Sequence, residues 1–190
     1  MKLIFATHNP NKVKEIQELL PEHIQILSLN DLDYNKEIVE YGETIEANAK
    51  IKAETISELY DLPCFADDTG LEVEALDGKP GVKSARYAGQ EKSDKANKEK
   101  LLKNLEGAED RSARFKTVIV FINGNEIKEF VGICDGEITK EPSGTGGFGY
   151  DPIFKPKGFT KTFAEMSSLE KNKISHRGLA FHKLIEFLKA

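Results

Sequence analysis

The sequence predicts an α/β protein, or an α+β one, built on a mixed sheet. Two observations carry this reading, and the chain's length bounds it. In the first half, short apolar runs alternate with stretches whose apolar residues recur at helical spacing, the signature of βα units. In the second half, two β-rich runs flank Asn123-Gly124-Asn125, which is hairpin chemistry and predicts an antiparallel meander. At 190 residues the chain is long enough to bury a substantial core and too short for two independent domains, so residues 1–190 read as a single domain. A cleft between the two parts is the natural ligand site.

Lys2 to Thr7 is a compact apolar strand. Asn9-Pro10 follows as an N-cap with proline at the first helical position, and Val13, Ile16, Leu19 and Leu20 then recur at helical steps. Ile24 to Leu29 alternates as a second strand. Ile45, Ala49, Ala53, Ile56 and Leu59 predict a long helix that Pro63 stops. The short apolar run from Pro63 to Ala66 empties into Asp67-Asp68-Thr69-Gly70, which places two carboxylates at a strand-to-turn junction. Beyond them Leu71, Val73 and Ala75 alternate with acidic residues. Gly78, Pro80 and Gly81 mark a loop, and Ser93 to Leu105 is a charged helix with Ala96, Leu101, Leu102 and Leu105 as its stripe. Phe115 to Ile122 and Glu126 to Cys134 form the hairpin. Asp135-Gly136 turns again into Glu137 to Thr139, a glycine-rich loop covers Ser143 to Tyr150, and His176 to Lys189 closes the chain as a helix with Leu179, Leu184, Ile185 and Leu188 inward.

Composition narrows the function classes. Hydrophobic residues make up 39% and charged residues 31%, with no repeat, which excludes collagen-like, coiled-coil and wholly disordered chains. The formal charge of −5 argues against broad binding to a nucleic-acid polymer, although a local basic pocket for a small anion is compatible with it. No apolar run approaches a membrane span, and the first residues turn polar too soon for a signal peptide, so a cytoplasmic protein without a membrane is expected. Cys64 and Cys134 lack metal-ligand spacing and read as reduced, buried thiols.

Four segments can carry chemistry. Thr7-His8-Asn9-Pro10-Asn11-Lys12 brings a hydroxyl, an amide, helix N-terminal N–H groups and an ammonium to one turn, which suits phosphate oxygens; an ordinary capped helix with a solvated lysine has the same pattern. Asp67-Asp68-Thr69-Gly70, with Glu40 and Glu43 upstream, can hold one Mg²⁺ whose shell substrate phosphates complete, or orient a water; turn-forming aspartates are the plain alternative. Because successive strand residues face opposite ways, only one of the two aspartates need enter a cleft. Gly144 to Asp151 matches GxGxxG, but Pro152 and Pro156 stand where a dinucleotide-binding fold needs a helix. Four glycines with Phe148 and Tyr150 instead allow close backbone approach and offer an aromatic face to a base. Lys171 to Arg177 sets cationic and hydrogen-bonding groups at a helix entrance, suited either to a nucleotide or to a basic capped surface helix. No two histidines share metal-ligand spacing, and no set of residues suggests a covalent triad.

In this order, Thr7-x-Asn9-x-x-Lys12, Asn48-Ala49 with Lys52, Ala66 to Leu71, Pro80-Gly81, Ser84 to Tyr87, Gly147 to Pro152 and Ser175-His176-Arg177 resemble the inosine triphosphate pyrophosphatase family, also called Ham1 or RdgB. Each motif is weak alone; the ordered set spans essentially the whole chain. The resemblance implies an elongated mixed sheet flanked by helices, two lobes around a central cleft, and a homodimeric, Mg²⁺-dependent enzyme. Such an enzyme would cut deaminated purine nucleoside triphosphates (ITP, dITP, XTP) between the α- and β-phosphates, cleansing the nucleotide pool. It further implies that Thr7, Asn9, Lys12 and Lys52 contact the triphosphate with Thr69 beside the phosphates, that Glu40 and Asp68 hold the metal, and that Asp68 takes the proton of the attacking water. Phe148 would stack on the base, and Gly149, Tyr150, Asp151, Lys171, His176 and Arg177 would surround base and sugar, with His176 and Arg177 at the 6-keto edge. Thr69 and Tyr41 depart from the family's usual Ser and Thr. A Maf-like pyrophosphatase for modified pyrimidine nucleotides and a non-catalytic nucleotide sensor are the competing readings.

Overall fold

The structure is a computed structural model that describes residues 1–189. Seven strands and five α-helices make the mixed α/β fold that the sequence predicts. They are β1 (Lys2–Phe5), α1 (Pro10–Gln17), β2 (Gln25–Ser28), α2 (Ile45–Ser57), β3 (Cys64–Val73), β4 (Pro80–Gly81), α3 (Asp94–Asn104), β5 (Ser112–Asn123), β6 (Glu126–Ile138), β7 (Phe154–Pro156), α4 (Ser168–Ile174) and α5 (His176–Lys189). The strand order is β2-β1-β3-β5-β6-β7, with β4 also on β3. β1 runs parallel to β2 and β3, with Ile4 opposite Leu27 and Cys64, whereas β4 is antiparallel to β3 and β7 to β6. Among the described residues no helix is long and apolar enough to cross a membrane.

The chain divides into two compact units. The first comprises Met1–Asp68, Thr117–Gly132 and the segment from Arg177; the second comprises Thr69–Lys116 and Ile133–His176. In the first unit the period of two along each strand separates two cores. Leu3, Phe5, Phe65, Ile119 and Phe121 face Ile16 of α1 and Ala180, Phe181 and Leu184 of α5. Ile4, Ala6, Cys64, Ala66, Val118 and Val120 face Ile45, Ala49, Ala53 and Ile56 of α2. The helices that carry Lys12 and Lys52 both start at side-chain caps. Asn9 Oδ1 accepts from the Asn11 and Lys12 N–H groups at the α1 start, and Thr44 Oγ1 accepts from Ala47 N–H at the α2 start.

The second unit packs Leu71, Val73, Leu101, Leu105, Phe115, Ile138, Ile153, Phe154 and Phe163 into one core. α3 is found where the charged helix is expected, with Ser93 as its N-cap and with Asn97 and Leu101 as its buried residues.

Several expectations are corrected. Asp67-Asp68-Thr69-Gly70 is not a turn: β3 continues through it to Val73, because ladder pairing overrides the turn preference of its residues. Likewise β6 runs unbroken through Asp135-Gly136. Gly136 is there for close approach, since a Cβ on it would lie 2.4 Å from the Lys155 carbonyl of β7. α2 ends at Ser57 rather than at Pro63, so Leu59 is exposed. In α5 the buried apolar side chains are Ala180, Phe181, Leu184 and Ile185, while Leu179 and Leu188 are only partly covered. α4, with its Ser167–Glu170 capping box, is an additional helix where the sequence suggests only an entrance.

Candidate active site

Strand alternation decides how the paired aspartates are used. Asp67 continues the Phe65 row toward α1 and α5, where its Oδ1 accepts a 2.8 Å hydrogen bond from Lys12 Nζ and its Oδ2 lies 3.6 Å from Arg177 Nε. Asp68 continues the Ala66 row toward α2, where Lys52 Nζ donates at 3.1 Å to its Oδ1 and at 3.1 Å to Glu40 Oε2. Arg177 is also ion-paired to Glu15 of α1.

Electrostatics drive the two carboxyls apart. Burial pushes both upward. At Asp67 the attraction of Lys12, Arg177 and Lys52 overcomes that penalty and holds the group below the usual aspartate range. At Asp68 burial prevails over Lys52 and Lys12, Glu40 adds repulsion, and the group is raised. Lys52 is itself raised, because Asp68, Glu40 and Asp67 outweigh its desolvation. The two neighbouring carboxyls are thus shifted in opposite directions, Asp67 downward and Asp68 upward.

Backbone contacts fix the flanking groups. The Thr7 hydroxyl accepts from Asn9 N–H at 3.1 Å, so the capping and anion-binding readings of this turn share the same atoms. The loop bearing Glu40 is pinned where Asn48 Oδ1 accepts from Gly42 N–H at 2.8 Å. A Cβ at Gly42 would lie 2.5 Å from that oxygen, which explains the glycine.

In the second unit, Asp151 organises the glycine-rich loop. Its Oδ2 accepts from Phe148 N–H at 2.9 Å and from Lys171 Nζ at 2.8 Å. Gly147 has φ +68°, and a Cβ there would fall 2.0 Å from the same oxygen. Lys171 Nζ lies 5.2 Å from the Phe148 ring centre and 5.7 Å from that of Phe163. Tyr150 donates its hydroxyl to the Ser84 carbonyl at 2.7 Å, and Gly149 N–H donates to Asp94 Oδ2 at 2.8 Å. The His176 ring stacks on Phe115 with centres 4.3 Å apart.

Of the predicted site residues, the first unit thus gathers Thr7, Asn9, Lys12, Glu40, Lys52, Asp68 and Arg177, and the second gathers Thr69, Phe148, Gly149, Tyr150, Asp151, Lys171 and His176. Arg177, placed by the resemblance at the base edge, has its guanidinium on Asp67 and Glu15. Among the described residues no cluster of three or more His, Cys, Asp or Glu side chains is arranged around a metal. Glu40 and Asp68 nevertheless present hard carboxylate oxygens to one cation, the Lys52 ammonium, and two such ligands suit a Mg²⁺ whose remaining shell is phosphate and water.

With this geometry in view, comparison with known proteins is direct. A family model described as the Ham1 family matches residues 3–187. This chain belongs to the Ham1 family. A relative from Christiangramia forsetii named dITP/XTP pyrophosphatase is 60% identical over 189 residues, covering 99% of each chain. One of the same name from Bacillus subtilis is 49% identical, covering 98% of this chain and 96% of its own. The structure of the Staphylococcus aureus Ham1 protein superposes with a TM-score of 0.90 at 40% identity, covering 100% of this chain and 98% of that one.

Within this Ham1-family chain, sequence reasoning missed Glu15, Ser84, Asp94 and Phe115. Glu15 had a usable signal, since it stands three residues after Lys12 on the same helix face. Ser84 lies in one of the motifs that carry the resemblance but was given no role, and Phe115 reaches His176 only through a long-range contact and had no signal.

Proposed function

We propose that this chain hydrolyses deaminated purine nucleoside triphosphates, such as ITP, dITP and XTP, to the monophosphate and pyrophosphate. The observation that carries the reading is the division of labour between Asp67 and Asp68, one neutralised by Lys12 and Arg177 and the other raised beside Lys52 and Glu40. The names of the 60% and 49% identical relatives support the substrate class.

In the proposed reaction Lys12 and Lys52, with the Thr7 hydroxyl and the Asn9 amide, bind the triphosphate oxygens and hold the α-phosphorus in line for attack. Water forms a bond to that phosphorus as the bond to the bridging oxygen breaks. The electron pair leaves with pyrophosphate, and Asp68 accepts the proton of the water. Glu40 and Asp68 would hold Mg²⁺, which supplies positive charge against the leaving pyrophosphate. Thr69 lies next to the base Asp68 and offers a hydroxyl to the phosphates. Phe148 stacks on the purine, while Gly149, Tyr150, Asp151, Lys171 and His176 shape its surroundings. A site that donates to a 6-keto oxygen meets adenine's 6-amino group with donor against donor, which disfavours ATP. We further propose that the chain acts as a single-domain homodimer in the cytoplasm.

The test is release of pyrophosphate and of phosphate from ITP, XTP, dITP, GTP and ATP, with and without Mg²⁺. Metal-dependent pyrophosphate release favouring ITP or XTP is expected. Binding of ITP without turnover would instead identify a sensor, and activity confined to modified pyrimidine nucleotides a Maf-like enzyme.

A further inference from the structure

The aromatic loop is tied down from two sides, and only one of the ties comes from a residue already placed in the site. Asp151 holds it through Phe148 N–H and Lys171. The second tie runs to α3. Asp94, in the first turn of that helix, directs its Oδ2 to Gly149 N–H at 2.8 Å. Three residues on, Asn97 is buried and clamps the preceding loop, accepting from Ala88 N–H at 2.7 Å and donating to the Ala85 carbonyl at 3.0 Å. That loop supplies the Ser84 carbonyl on which the Tyr150 hydroxyl rests. The first turns of α3 thus set the position of Gly149 directly and that of Tyr150 through one intermediary.

Gly149 itself explains why the tie matters. Its φ is +62°, and a Cβ there would meet nothing within 4 Å, so the glycine is there for its backbone conformation and not for close packing. The carboxylate of Asp94 is the contact that fixes the direction of its N–H. Phe148, whose ring is the proposed base platform, is the adjacent residue.

We infer that Asp94 is a positioning residue for base selectivity, orienting the Phe148–Tyr150 segment through the Gly149 amide. The inference rests on the proposed nucleotide reading of the site. Asp94 touches neither the reacting phosphates nor the carboxylates of β3, so its removal acts on recognition of the base and spares the chemical step.

The experiment compares wild type with Asp94→Ala, Asp94→Asn and Ser93→Ala, measuring kcat and KM for ITP and for ATP together with melting temperature. Asn keeps an acceptor for the Gly149 amide. Ser93→Ala removes the α3 N-cap, the Ser93 Oγ bond to Ala96 N–H, without touching Gly149, and so reports what weakening of the helix does alone. The expected result for D94A is a KM for ITP raised roughly three- to tenfold, the loss of one ordinary hydrogen bond, with kcat within about twofold and a matching fall in the ITP-to-ATP ratio of kcat/KM. D94N should restore both, and S93A should lower the melting temperature while leaving KM and the ratio unchanged. Wild-type selectivity that survives intact in D94A, or a loss in S93A equal to that in D94A, overturns this inference alone. A wild type that releases no pyrophosphate from ITP overturns the reading of the site and this inference with it.

Discussion

Asp67 and Asp68 are neighbours in sequence that reach to different helices: the first is held at 2.8 Å by Lys12 of α1, the second at 3.1 Å by Lys52 of α2. The pleat of β3 alone separates them, sending one carboxylate to each helical layer. Identical side chains one residue apart are thereby shifted in opposite directions, Asp67 downward and Asp68 upward.

Replacement of Asp68 by Asn keeps shape and removes the proton acceptor. Turnover of ITP is expected to fall about 10²- to 10⁴-fold. Loss of the acceptor also leaves Lys52 with Glu40 as its remaining hydrogen-bonded carboxylate, so thermal unfolding is expected to shift only modestly. Near-wild-type rates with unchanged Mg²⁺ dependence would remove Asp68 from the role.

Asp67→Asn should show the complementary behaviour, with a large effect on stability. It takes from the buried Lys12 ammonium the carboxylate it is paired with, and breaking one side of a buried ion pair costs about 3–5 kcal/mol, while Arg177 keeps Glu15. The sign with pH follows from the lowered value of Asp67. Its stabilisation is complete above the unfolded-state pKa of about 3.9 and is lost as pH falls through the lower folded value. Urea unfolding of wild type and D67N should therefore differ most near neutrality and converge in strong acid; a gap that widens on acidification would contradict the assignment.

Gly147→Ala places a methyl 2.0 Å from Asp151 Oδ2 and strains a φ of +68°. The carboxylate must move away from Phe148 N–H and Lys171 Nζ. Strain of 1–3 kcal/mol predicts a rise in KM for ITP of roughly tenfold, with kcat less affected, in steady-state assays. A fall in apparent kcat with KM for ITP unchanged would point to general unfolding instead.

Burial raises the Cys64 thiol to about 11 and that of Cys134 to about 12, so neither forms thiolate near neutrality. A disulfide-exchange reagent at about pH 8 should leave the native protein unmodified and titrate both cysteines once it is denatured. Rapid native-state labelling of either would show that its cover opens.

Much of this was legible locally. The Asn9-Pro10 helix start, the charged helix that opens after Ser93 and the Asn123-Gly124-Asn125 turn between β5 and β6 are short-range patterns, and each is found where the residues place it. The Asp67 to Gly70 stretch was misread because its turn preference is local whereas the pairing that extends β3 comes from residues some fifty positions later in β5. Gly136 was misread for the same reason, its partner being the Lys155 carbonyl of β7. In the site, residue types announced the chemistry, but the allocation of partners did not. Nothing near Arg177 in the chain indicates that it meets Glu15 and Asp67, and nothing near His176 indicates Phe115.

The alternation of β3 also sets what kind of mutation this region can survive. Side chains along the strand are addressed by parity, odd positions such as Phe65 and Asp67 to one layer and even ones such as Ala66 and Asp68 to the other. Substituting a residue alters one address; inserting or deleting one ahead of Phe65 reverses them all, offering Asp67 to Lys52 and Asp68 to Lys12 while turning Phe65 into the wrong core. Divergence within this strand is thus confined to changes of letter at constant length, and length variation among related chains should fall in the loops on either side of it.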